Sequence, residues 1–279
     1  MAYKTHIEWT NATWNPVTGC TKGSPGCDHC YAKRLTERFG RGPFDRVATH
    51  LERLTEPSRW RRPQMVFTCS MSDLFHPNVP WAFTLAVFSV MEETPQHTYQ
   101  VLTKRPGRMA YFASNVLKSQ GRNWPSNVWA GTSVEAQRFV PRLDLLARVP
   151  SVVRFASLEP LLEPIELGPS ARGGKIHWVI VGGESGPGAR PMDIEWVYSL
   201  RHQCEEAKVP FFVKQLGTSW AAANGIADYK GGDPSNWPPI IRIREFPRIA
   251  LPKTQCSTGA DVAQCDPSSD CPIPLPLTA

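Results

Sequence analysis

The chain has 279 residues, of which 41% are hydrophobic and 20% charged, with a formal net charge of +6. This is the balance of a soluble globular protein, long enough for one large domain or two small ones, and no run approaches the roughly 18 apolar residues that a membrane-spanning helix needs. The mild positive charge suits a nucleic-acid or phosphate-bearing partner without requiring one.

The opening residues, MAYKTHIEWTNATWNP, are polar and aromatic, with no apolar signal-peptide stretch, so the expected compartment is the reducing cytoplasm. Next come Cys20, Cys27 and Cys30 in a C-x6-C-x2-C array. Three thiolates on one short loop can converge on one centre, and Gly19, Gly23, Pro25 and Gly26 supply the turns such a loop needs. Three ligands favour an iron–sulfur cluster with one open iron over a closed zinc site, which wants four. Zinc stays open as an alternative, with Asp28, His29 or Cys69 as fourth ligand. So do disulfides, the eight cysteines being an even number.

Beyond the loop, short runs rich in Val, Ile and aromatic residues read as buried parallel strands at 65–69, 99–103, 127–131, 152–156, 177–181 and 210–214. An earlier strand falls just before or within 14–19, making about seven. Helices are predicted at 28–39, 81–93, 134–147 and 194–208. The strand ends recur roughly every 30 residues, the rhythm of βα units, which close into a full or partial barrel or remain a doubly wound sheet. After Gly217 the rhythm lapses: an ordered loop is expected at 231–239 and a last short strand at 240–246. The predicted organisation is an α/β domain over 1–250 and a disordered tail over 251–279, whose Cys256, Cys265 and Cys271 read as spectator thiols.

Ligands of parallel α/β folds gather at the carboxyl ends of the strands. There the sequence places Ser70 and Asp73, Lys104 and Arg105, Glu135, Glu159, the Gly182-Gly183-Glu184-Ser185-Gly186 loop, and Gln215. The loop glycines would let backbone amides approach a ligand, and Glu184 could accept from an amine or ribose hydroxyl. Any one of these polar residues could equally be a helix cap. Most of the ten tryptophans should pack in the core, a minority stacking on a base or cofactor ring.

The stretch from Trp9 through Cys20 to Ala32 closely resembles the phage-associated three-cysteine-motif family, whose members look like divergent radical S-adenosylmethionine (SAM) enzymes. Blocks around Thr103-Lys104-Arg105-Pro106, Ser157-Leu158-Glu159-Pro160, the loop at Glu184 and Val213-Lys214-Gln215 resemble it too. The resemblance implies a partial (β/α)6 barrel of the radical SAM kind. In it Cys20, Cys27 and Cys30 would hold a [4Fe–4S] cluster whose fourth iron binds SAM for cleavage to a 5′-deoxyadenosyl radical. It also implies an electron donor such as a flavodoxin or ferredoxin. By their position at the strand ends, Ser70, Asp73, Lys104, Glu135, Glu159 and Glu184 are the expected SAM or substrate contacts. A nucleic acid or modified base is the expected substrate. This chain departs from the usual C-x3-C-x2-C spacing at the first gap, and His29 stands where an aromatic residue is usual. The rivals are a zinc protein that binds nucleic acid and a hydrolase holding divalent ions on Asp73, Glu135, Glu159 and Glu184.

Overall fold

The computed structural model describes residues 5–40 and 42–248. The chain divides into a unit at Met1–Pro247 and a second at Arg248–Ala279. The expectations for the tail, its disorder and its three cysteines, fall on residues outside those described.

The chain opens with β1 (Ala12–Trp14), pairs β2 (Val17–Thr18) with β3 (Ala48–Thr49) in a small antiparallel ladder, and enters the βα series at β4 (Met65–Thr68). Then follow β5 (Thr98–Thr103), β6 (Val128–Ser133), β7 (Arg154–Leu158), β8 (Trp178–Gly182) and β9 (Phe211–Gln215). Seven of these form one parallel sheet in the order β1-β4-β5-β6-β7-β8-β9, one strand more than a (β/α)6 count. Every predicted run lies within two residues of its strand. The first strand sits slightly before the 14–19 window.

Successive side chains alternate between faces. Val66, Tyr99, Val101, Val128, Ala130, Ala156, Val179 and Val181 point outward into the helical layer. There α2 (Trp81–Glu93) buries Phe83, Val87, Phe88 and Met91, and α3 (Ile194–Ala207) buries Val197, Leu200 and Cys204. Burial of each such side chain is worth about 1.5–3 kcal/mol. The Asp193 carboxylate caps α3 by accepting from the Glu195 amide.

The inner face is aromatic. Trp9 packs 4.7 Å from Phe67 and 6.3 Å from Trp178, and Trp178 lies 6.0 Å from Trp129 and 5.9 Å from Phe212 (ring centroids). In a flat sheet β1 and β8 would stand about 24 Å apart, at about 4.8 Å per strand. The Trp9–Trp178 contact therefore requires the sheet to curl, and with β1 and β9 not paired to each other it is an open, partial barrel floored by rings. Gly131 makes this packing possible: a Cβ there would stand 2.3 Å from the Phe155 ring.

Three expectations change. The helix expected at 134–147 is a 3-10 turn (Gln137–Phe139) followed by a short helix (Pro141–Leu146), because Pro141 lacks an N–H and suits a first helical position. The helix at 28–39 begins only at Tyr31, after a 3-10 turn (Pro25–Cys27), and is labelled α1 (Tyr31–Arg38). The last strand at 240–246 reduces to a bridge between Arg244 and Phe212. Its neighbours still cover the β9 edge, Val213 N donating to Ile243 O and Glu245 N to Phe211 O. No helix among the described residues is long and apolar enough to cross a membrane.

Candidate functional site: the cysteine loop over the strand ends

A cavity of about 1020 Å³ opens above the aromatic floor, at the carboxyl ends of the strands. Cys20, Cys27 and Cys30 line it together with Ser70, Asp73, Lys104, Glu159 and Glu184. Glu135 does not: it is fully buried, behind the loop. Cys69, at the end of β4, is also buried in this wall with a left-handed backbone (φ 63°), and burial pushes its thiol up to about 12.

The loop is fixed at both flanks. Gly19 has φ +81°, and a Cβ there would stand 2.2 Å from the Arg46 carbonyl oxygen, so the tight approach requires glycine. The Cys20 amide donates to Phe44 O at 2.8 Å. Between the cysteines, Ser24 Oγ donates to Glu135 Oε1 at 2.7 Å, while Arg142 donates to Glu135 Oε2 at 3.0 Å and to Gly23 O at 3.3 Å. Lys104 closes on the same carboxylate. Farther along, Glu184 Oε2 meets His29 Nδ1 at 2.8 Å and its Oε1 accepts from Arg190 at 2.6 Å, and Arg190 also donates to Pro25 O.

Asp73 forms a third anchor. It accepts from Thr103 Oγ1 at 2.7 Å, from the Lys104 amide at 3.2 Å and from Arg105 at 2.8 Å. Arg105 continues to the loop, donating to Thr21 O at 3.2 Å and to Cys20 Sγ at 3.8 Å. Thus Asp73, Glu135 and Glu184, read from sequence as ligand contacts, each hold a cation or hydroxyl that holds the cysteine loop. Glu159 differs. It faces the cavity beside Ser157, with Lys214 Nζ at 2.6 Å.

Electrostatics around the sulfurs follow from this lattice. Burial pushes the Cys20 thiol up to about 11. Burial acts upward on Cys27 as well, but the Lys104 charge and hydrogen bonds from Gly23 and Ser24 outweigh it and bring that thiol below its ordinary value. Burial lowers the Lys104 ammonium to about 8. Among the described residues no three His, Cys, Asp or Glu side chains are already gathered as a metal site. The donor set nonetheless suits an iron–sulfur cluster. Three half-buried thiols share one wall, N–H groups from Gly23 and Arg105 reach two of the sulfurs, and cations offset thiolate charge.

A family model described as a protein of unknown function, DUF5131, matches residues 4–258. The chain belongs to the DUF5131 family. No curated protein matches it. Among solved structures, this DUF5131 protein is similar to a spore photoproduct lyase variant with bound AdoMet and a dinucleoside spore photoproduct, at a TM-score of 0.40 and 12% identity. The match covers 73% of this chain and 56% of that one, so the chain spans little more than half of that relative's length.

Sequence reasoning missed Ser24, Arg142 and Arg190 in the DUF5131 site. Ser24 lay in plain view between the cysteines, whereas Arg142 and Arg190 stand apart from every motif and carry no signal beyond their charge. The loop glycines also make close approaches within the protein. A Cβ on Gly183 would stand 2.2 Å from Leu216 O, and one on Gly186 2.5 Å from Arg34, so the close approaches are to β9's continuation and to α1.

Proposed function

We propose that this protein is a radical SAM-type enzyme, with Cys20, Cys27 and Cys30 holding a [4Fe–4S] cluster and the adjoining cavity receiving SAM and substrate. One observation carries the reading: three thiols on one short loop, tied by side chains from four strand ends over the mouth of a parallel, partly closed βα sheet. When bound, cluster and SAM supply one-electron cleavage and the radical chemistry that follows.

The chain's own residues bind and shield. The aromatic floor excludes water from below, which strengthens polar contacts above it. Glu159, steadied by Lys214, presents a carboxylate that can accept from an amine or ribose hydroxyl, and Ser70 and Ser157 add small polar groups to the wall. The proposed substrate is a nucleic acid or modified base, consistent with the positive charge and the phage setting implied by the sequence resemblance. The proposed electron donor is a flavodoxin or ferredoxin, and the proposed compartment the cytoplasm. The two-metal hydrolase reading finds less support, because Asp73, Glu135, Glu159 and Glu184 each face a lysine or arginine instead of one another.

The test uses protein purified without oxygen and reconstituted with iron and sulfide. Absorption and EPR spectra report the cluster; dithionite and SAM are then added and 5′-deoxyadenosine is sought by mass spectrometry. Both signals are expected in wild type and neither in Cys27→Ala. Stoichiometric zinc without iron would overturn the reading.

A further inference from the structure

A second cavity, of about 400 Å³, lies on the far side of the cysteine loop's first flank. Its lining differs from that of the large one, where acids and bases are mixed. No carboxylate lines it, whereas Arg46, His50 and Arg53 all do, with Thr18 and Asn15 adding polar groups.

Backbone contacts hold the basic residues in place, with one exposed acid, Glu52, beside two of them. The β2–β3 ladder pairs Val17 with Thr49 and Thr18 with Ala48, and the His50 amide donates to Pro16 O at 2.8 Å, which seats His50 over Thr18. His50 Nε2 meets Thr18 Oγ1 at 2.8 Å, and Arg53 donates to Asn15 O at 3.0 Å. The Arg46 backbone is clamped by the close approach of Gly19, but among the described residues its guanidinium has no acceptor. Glu52 lies 3.1 Å from His50 Nδ1 and 3.7 Å from Arg53 Nε, with 69% of its side chain exposed. A concave site with guanidinium groups, a hydroxyl and no carboxylate in its lining matches the geometry and charge of a phosphate.

Pro43 and Phe44 line both cavities, so one wall separates them. Asn15 strengthens the partition, accepting from Ser70 Oγ at 3.1 Å and from the Met71 amide at 3.0 Å. We propose that the small cavity is an anion site for a phosphate group, and that the remainder of a phosphate-bearing substrate crosses the Pro43–Phe44 wall into the large cavity. The crossing rests on reading the large cavity as the reaction site. The anion site does not.

The experiment needs neither iron nor SAM. Inorganic phosphate is titrated into the full chain by calorimetry, and a short fluorescein-labelled single strand is followed by anisotropy at two salt concentrations. Arg46→Gln is expected to weaken phosphate about tenfold, the loss of one charge-assisted contact. Met71→Trp, which fills the cavity without changing charge, should abolish phosphate binding and guards against a folding defect in the first variant; Arg172→Gln, on a distant exposed surface, should bind as wild type does. If phosphate also displaces the strand, the group belongs to a phosphodiester; if phosphate binds and the strand does not compete, it belongs to a small phosphorylated molecule. Either outcome upholds the site. No phosphate binding by wild type, or equal binding by wild type, Arg46→Gln and Met71→Trp, overturns it. Cluster assembly and 5′-deoxyadenosine formation are separate readouts, so failure of the anion site and failure of the radical enzyme reading are distinguishable.

Discussion

Glu135 is the most deeply buried acid among the described residues. Its carboxylate is fully buried and accepts from Ser24 while pairing with Lys104 and Arg142, whose side chains are only 21% and 12% exposed. Glu135→Gln keeps the shape and an acceptor for Ser24 but leaves two cations facing a neutral amide. Breaking a buried ion pair from one side costs about 3–5 kcal/mol. Because both cations retain some contact with water, the lower end applies, about 3 kcal/mol, which for a domain of this size lowers the melting temperature by about 6–12 °C. Thermal denaturation followed by circular dichroism measures this. The double variant Glu135→Gln/Lys104→Met removes one uncompensated charge, and should melt above the sum expected from the two single changes. A Glu135→Gln protein melting within about 2 °C of wild type, or strictly additive changes, would refute a role for Glu135 as the ionic anchor of the loop.

Other outcomes follow from packing and protonation. Gly131→Ala should cost about 1–3 kcal/mol by overpacking against the Phe155 ring, read as a lower urea midpoint with an unchanged slope. Stability should also fall with acid. Burial lowers His97 and His177 below their ordinary 6.5, and each Nδ1 accepts a backbone amide, from Gln64 and Arg154, a bond that protonation there would break. Since the unfolded chain takes up these protons first, stability is full above about pH 7 and declines as pH falls through 6.5 toward the folded values, by at most about 1.4 kcal/mol per pH unit for each histidine. Urea titrations at pH 7 and pH 5.5 test this; equal midpoints would sink it.

The sheet was legible because strands buried on both faces must be apolar along their whole length, and these runs stop where polar residues enter the cavity. The β2–β3 ladder was not, having only two residues per strand and no periodicity to read. The expected strand at 240–246 failed because its pattern was answered by side chains: Arg244 donates to Val213 O, Lys214 O and Gly232 O, anchoring the segment with a guanidinium where a full ladder was predicted. The cysteine loop was visible through spacing and glycine content. Its anchoring was not, since Arg142 and Arg190 reach it from distant positions in the sequence. The cations beside the strand-end acids were not legible either: Asp73, Glu135 and Glu184 pair with Arg105, Lys104 and Arg190, and sequence position fixes which end of a strand a side chain occupies but not which cation reaches it.

The ring stack under the cavity gives the protein an optical property of its own. Trp9, Trp129 and Trp178 lie with neighbouring indoles about 6 Å apart, and Trp9 forms part of the cavity wall. Their emission and near-ultraviolet dichroism therefore arise from one coupled set of chromophores beside the ligand space. A coloured or absorbing occupant will quench that emission by energy transfer, so occupancy can be followed in an unlabelled protein, in real time and without turnover.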